Sequence, residues 1–161
     1  MFGMFKKKPP VPEPVTPEGR VVRGAANLLE LALMLCRSTP DYQAQLHSLF
    51  VRGYLIGFFD AALQCAGVQV KSDEQFFTLM LLGHTQLLVK DIPDSTAYTF
   101  DSLRLQGSPD FDSAQTAGGQ EYFEFYSGKT RTPVLLSSYF HGSRNMENLL
   151  DHHLKNNQGR K

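Results

Sequence analysis

The sequence predicts an all-α protein, a compact helical bundle with an extended Pro-rich N-terminal tail. Three observations carry that expectation. Apolar residues between positions 17 and 90 recur at spacings of three and four, the period of a helix face. Their runs open on capping residues, two of them followed by proline. Five prolines fall within residues 9–17, which makes an extended spacer with little backbone pairing ahead of the first run.

Thr16-Pro17 supplies a hydroxyl cap and a proline at the first helical position, where its missing N–H is not needed. Val22, Ala25, Ala26, Leu29, Ala32, Leu33 and Cys36 then share one face, so the first helix is expected over residues 17–37. Thr39-Pro40-Asp41 repeats the start signal, and one long helix is expected from there to Gly67. Its apolar residues Leu46, Leu49, Phe50, Ile56, Phe59 and Leu63 cover more than one face, the mark of a buried helix. Gly53, Gly57 and Ala61 fall four apart and form a groove that lets a neighbouring helix approach closely. Without such packing, an interior glycine costs about 1 kcal/mol against alanine. Ser72 with Gln75 makes a capping box, with Asp73 and Glu74 in the first turn. Phe76, Phe77, Met80, Leu81, His84, Leu87 and Leu88 continue that third helix to Lys90.

Residues 91–128 change character, with one arginine against seven acids and a net charge of −6. Pro93 and Gly107-Ser108-Pro109 punctuate the segment. Residues 98–105 alternate well enough for a strand and also fit a short helix. Asp112 is expected to cap a helix presenting Gly119, Tyr122, Phe123 and Tyr126 on one face. The rival is a hairpin of residues 120–126 and 134–140 around Ser127-Gly128-Lys129-Thr130, which would make the fold α+β. Thr132-Pro133, a further cap-plus-proline start, favours helix. Asn145 is expected to open a last helix with Met146, Leu149, Leu150 and Leu154 inward. Residues 129–161 carry six basic groups and two acids, a net of +4. The expected organisation is a tail and linker over 1–16, one helical domain over 17–156, and a frayed end over 157–161.

Composition excludes more chemistry than it implies. The 161 residues suit one domain that buries roughly two-thirds of its unfolded surface, so no metal or disulfide is needed to hold a core. With 42% hydrophobic and 20% charged residues and zero formal charge, the chain is neither disordered overall nor globally basic, which disfavours nucleic-acid binding. Glu121 and Glu124 also interleave the aromatic cluster Tyr122, Phe123, Phe125 and Tyr126, where they would repel phosphate. No CxxC, HExxH, EF-hand or G-x-S-x-G pattern occurs. Ser127-Gly128-Lys129-Thr130 holds the GKT tail of a P-loop, but Phe123 stands where that motif needs glycine. No metal, cofactor or catalytic residue is therefore expected. His84 reads as a polar core residue making one hydrogen bond. Asp60 reads as part of a narrow polar stripe with Gln64. An enzyme would require convergent polar groups in a pocket, for which Asp60, His84 and Tyr122 are the candidates.

The expectation is a non-enzymatic helical interaction or adaptor module with a protein partner. The alternatives are a small enzyme with an unrecognised pocket and a nucleic-acid binder using the basic segment 129–161. Cys36 and Cys65 lie in apolar helical patterns near the ends of consecutive helices, which suits free thiols and a cytoplasmic setting. The most apolar stretch, residues 53–68, is interrupted by Asp60 and Gln64 and is shorter than the roughly 20 residues a membrane span needs. Residues 1–8 read MFGMFKKK. Phe2 and Phe5 with Lys6, Lys7 and Lys8 suit a weak contact with the inner face of a membrane, each lysine contributing about 1 kcal/mol at an anionic surface. The competing reading of these residues is a solvated terminus.

Overall fold

The computed structural model describes residues 15–142, which form seven helices and no strand. Helix α1 (Pro17–Cys36) starts as its sequence dictates: the Thr16 hydroxyl accepts from Gly19 N–H at 3.1 Å, and Pro17 occupies the first position. Thr39-Pro40 does not start the next helix. The Thr39 hydroxyl instead donates back to Cys36 O at 2.6 Å and closes α1. The chain then turns through Asp41, whose φ of 60° is left-handed.

Where the apolar pattern predicts one helix from Pro40 to Gly67, the structure has two, α2 (Tyr42–Leu46) and α3 (Leu49–Cys65). Ser48 is extended, and its hydroxyl caps Val51 N–H at 3.2 Å. The carbonyls at the break find distant donors. Tyr98 Oη donates to Leu46 O at 2.6 Å, and Arg52 Nε donates to His47 O at 3.2 Å. Gly67, at φ +70°, follows the end of α3 as expected. Ser72 caps α4 (Asp73–Leu88), and Gln75 Oε1 reaches back to Lys71 N–H at 2.7 Å.

The segment that fits either a strand or a helix is helix α5 (Ser95–Leu103), capped by Asp94 at Ala97 N–H. Helix α6 (Pro109–Tyr126) starts on Ser108-Pro109 rather than Asp112, whose carboxylate accepts from Gly107 N–H at 2.9 Å. Residues 120–126 end α6 and residues 135–140 lie in α7 (Leu135–Gly142), so the hairpin alternative is overturned. The expected apolar face of α6 is also corrected. Phe111, Ala114, Ala117, Gly118, Glu121 and Glu124 turn inward, while Phe123 and Tyr126 are exposed. The helix expected from Asn145 and the residues before Val15, including Phe2, Phe5, Lys6, Lys7 and Lys8, lie outside the described residues, as do the outer limits of the expected domain.

Helix α3 is the centre of the fold, buried on nearly every side, and its broadest contact is with α6. Small residues on both helices make that contact possible. A β-carbon on Gly53 would overlap Phe111 O, one on Gly57 would overlap Gln115 O, and one on Gly118 would overlap Tyr54 O. The two backbones thus touch directly, and the glycine groove of α3 meets α6 through Ala114 and Gly118. Helix α1 packs on α4, α3 and α7, and α5 packs on α4. Arg37 and Asp91 form a two-pronged ion pair, at 3.0 and 2.9 Å, that ties the end of α1 to the turn after α4.

Candidate functional site

Three places hold side chains able to do more than fill the core. The first is a groove of about 360 Å³ between α3 and α6, above the glycine seam. It collects Gly57, Asp60, Ala61 and Gln64 from α3 and Asp112, Gln115, Thr116, Gly119, Gln120 and Phe123 from α6. Asp60 is half-buried and accepts from Gln64 Nε2 at 2.8 Å. Burial raises its carboxyl above the ordinary range, and the Gln64 hydrogen bond works against that rise. Neither His84 nor Tyr122 lines this groove. The structure does not bring Asp60, His84 and Tyr122 together: His84 is sealed in the core, and Tyr122 packs edge-on against Phe58 at 5.0 Å between ring centres.

The second place is the buried polar interior. His84 lies between the rings of Phe59 and Tyr98 and meets the Thr99 hydroxyl through Nδ1 at 2.8 Å. That hydroxyl donates to Ser95 O, so His84 Nδ1 carries the proton. Burial, then the nearby Arg52 charge, pushes the His84 pKa down to about 3, and the ring stays neutral. Arg52 is buried with no carboxylate salt bridge among the described residues. Its guanidinium donates to His47 O, Tyr98 O and the Ser102 hydroxyl, meets His47 Nδ1, and lies 4.2 Å from the centre of the Tyr98 ring. Glu121 accepts from the Tyr54 hydroxyl at 2.5 Å and from Val134 and Leu135 N–H at 2.6 and 3.0 Å, so a carboxylate of α6 caps α7. Lys129 of the GKT turn pairs with Glu124 at 2.9 Å. Arg52 and Glu121 thus hold backbone groups, whereas His84 is bonded to a hydroxyl and Lys129 to a carboxylate.

The third place is the outer face of α1. Leu31, Met34 and Leu35 are 61%, 53% and 59% exposed. Leu28, half-buried, extends the same stripe, so Leu28, Leu31 and Leu35 stand at i, i+3 and i+7. The face identified from sequence begins at Val22 and omits these residues, although their spacing carries a visible signal: the apolar arc of α1 is wider than one core-facing stripe. Cys36 is buried and Cys65 half-buried, neither is in a disulfide, and burial raises both thiols.

Among the described residues no group of three His, Cys, Asp or Glu could hold a metal ion. No helix among them is long and apolar enough to cross a membrane. Compared with protein-family models, curated proteins and solved structures, the chain matches none.

Proposed function

We propose that this chain is a non-enzymatic helical interaction module that binds an apolar helical segment of a partner protein along the outer face of α1. The observation that carries the reading is the exposure of Leu31, Met34 and Leu35 side by side on a well-formed helix. Contiguous exposed apolar surface marks interaction sites, and an apolar helix face is read by a partner helix through i, i+3, i+7 anchors. The engagement of Arg52, Glu121 and Lys129 with backbone ends and local charges supports the same reading.

The test is crosslinking capture from the native cell with full-length protein and with a Leu31→Asp/Leu35→Asp variant. A stoichiometric partner lost in the variant, at an unchanged melting midpoint, is the expected result. A partner retained by the variant contradicts the assignment of α1. The setting proposed is the cytoplasm, with residues 2–8 against the inner face of a membrane. Vesicles containing anionic lipid should retain the full chain and lose it when residues 1–14 are deleted; equal retention of both rejects the anchor.

A second reading, a small-ligand or enzymatic site, rests on Asp60 in the α3–α6 groove, where burial raises a carboxyl beside amide side chains. A fragment screen by NMR that shifts Gln64, Gln115 and Gln120 together, and fails to do so in Asp60→Asn, would favour it over the interaction module.

A further inference from the structure

A fourth place lies where the end of α1, the turn into α2 and the turn after α4 meet. A pocket of about 440 Å³ opens there, lined by Arg37, Thr39, Asp41, Tyr42, Gln43 and Asp91. That volume falls within the roughly 300–1,000 Å³ of small-molecule sites. Tyr42 is only 5% exposed, and its ring is fixed against Phe140 of α7 at 5.0 Å between ring centres. Its buried hydroxyl has no hydrogen-bond partner among the described residues. Burial, then the Asp91 charge, raises that hydroxyl above the ordinary tyrosine range, so it stays protonated beside the ion pair and keeps a donor to offer. Buried hydroxyls are normally satisfied, and this one calls for a partner.

The other lining groups are unevenly engaged. Arg37 uses Nε and Nη2 on the two oxygens of Asp91, at 3.0 and 2.9 Å, and leaves Nη1 with no partner among the described residues. The Asp91 side chain is 5% exposed, which fixes this pair as a wall of the pocket. Asp41 makes no cap bond to α2, and its carboxylate has no ion pair among the described residues. The Thr39 hydroxyl donates to Cys36 O and is left to accept. The pocket thus offers two donors, Arg37 Nη1 and the Tyr42 hydroxyl, and two acceptors, Asp41 and Thr39 Oγ1. A simple anion would meet Asp41 and an arginine already neutralised by Asp91. A simple cation would meet Arg37. A neutral polyol would exchange its bonds to water for similar ones, because Asp41 and Gln43 at the rim are exposed. A molecule carrying both charges makes a charge-assisted bond at each end, roughly twice as strong as a neutral one.

We propose that this pocket binds a free α-amino acid, with its carboxylate on Arg37 Nη1 and the Tyr42 hydroxyl and its ammonium on Asp41 and Thr39 Oγ1. The site is separate from the outer face of α1, and the proposal does not depend on the interaction reading above. An amino acid held there bridges α1, α2 and the turn after α4, and its occupancy stabilises the fold by mass action.

The test titrates each standard amino acid singly, at millimolar concentration, into the isotope-labelled full chain and follows amide shifts by NMR. At least one should shift the amides of Asp41, Tyr42, Gln43 and Asp91 together and saturably, and raise the melting midpoint. Its N-acetyl derivative, which lacks the ammonium, and its amide derivative, which lacks the carboxylate, should each bind about tenfold more weakly, the value of one charge-assisted hydrogen bond. No shift with any amino acid overturns the proposal. Undiminished binding of the N-acetyl derivative overturns it in favour of an anion site, and undiminished binding of the amide derivative in favour of a cation site. Asp41→Asn removes the charge while keeping a residue type that tolerates the left-handed backbone, and should also weaken binding about tenfold. Tyr42→Phe removes only the hydroxyl. It should weaken binding several-fold, with the melting midpoint of the unliganded protein unchanged or raised, because the hydroxyl lacks a partner. A lowered midpoint would show the hydroxyl satisfied within the fold, and unchanged binding in both variants would place the amino acid elsewhere; either result overturns the site.

Discussion

The seam between α3 and α6 and the outer face of α1 are opposite solutions to helix packing. At the seam the side chains are removed. Gly53, Gly57 and Gly118 each stand where a single β-carbon would strike the other helix's backbone. On α1 the side chains are large and nothing described lies over them: Leu31 and Leu35 are more than half exposed, and a β-carbon on Gly24 would meet no atom within 4 Å. Interior glycine costs helix propensity in both places, yet only the seam recovers it through contact. Small residues thus mark a closed seam, and large exposed ones mark a face that nothing described covers.

Substitutions sharpen that contrast, and the largest effect is expected at the seam. Gly57→Ala should cost about 3 kcal/mol or more in urea unfolding, because the atom it meets is backbone and cannot rotate away; a loss below 1 kcal/mol would mean that the helices stand further apart. Next comes Glu121→Ala, which leaves the Tyr54 hydroxyl and the Val134 and Leu135 amide N–H groups at the start of α7 without their acceptor. It should cost about 2–4 kcal/mol, with amide exchange accelerated first across α7.

The pH dependence is smaller and has a definite sign. His84 is neutral in the fold down to about pH 3 but takes up a proton near 6.5 when unfolded. The unfolded state therefore binds more protons below 6.5, and stability falls as pH falls. The slope should reach about 1.4 kcal/mol per pH unit. Between pH 6.5 and 5, above the ordinary carboxylate range, His84→Gln should remove most of it. The remainder belongs to His47, which burial and Arg52 also hold below its ordinary value. A flat profile in the unsubstituted protein would place His84 in contact with water. The smallest effect is expected at Gly119→Ala, whose added carbon meets Gly57 O at 3.4 Å and Ala61 Cβ at 3.8 Å, ordinary contacts; its midpoint should move by less than about 1 kcal/mol, next to a Gly118→Ala that unfolds the seam.

Elements whose ends are held locally were legible in the sequence. Thr16, Ser72 and Asp94 each satisfy an amide three residues on, and of these Thr16 and Ser72 announce their helices by residue type alone. The break between α2 and α3 was not legible, because Tyr98 and Arg52 accommodate the interrupted carbonyls at Leu46 and His47, and the Tyr98 partner is distant in sequence. The inward face of α6 departs from the sequence pattern for the same reason. Glu121 looks like a surface residue until Tyr54 and the first amides of α7 arrive to bind it. Of the candidate sites, the glycine stripe of α3 was readable from spacing, but its counterpart Ala114–Gly118 was hidden behind the exposed aromatics Phe123 and Tyr126. Asp60 and Gln64 were readable as a pair. The amides that complete their groove come from α6, and only tertiary structure brings them there.

The most direct test of the contrast is a paired measurement, Gly57→Ala and Gly24→Ala unfolded in urea under identical conditions. Both replace a helix-interior glycine with the best helix former. The account predicts opposite signs: a loss of about 3 kcal/mol or more at Gly57, and a gain of up to about 1 kcal/mol at Gly24. Changes of the same sign at both positions would contradict it, because the seam would then not be closed at Gly57 or α1 would not be open at Gly24.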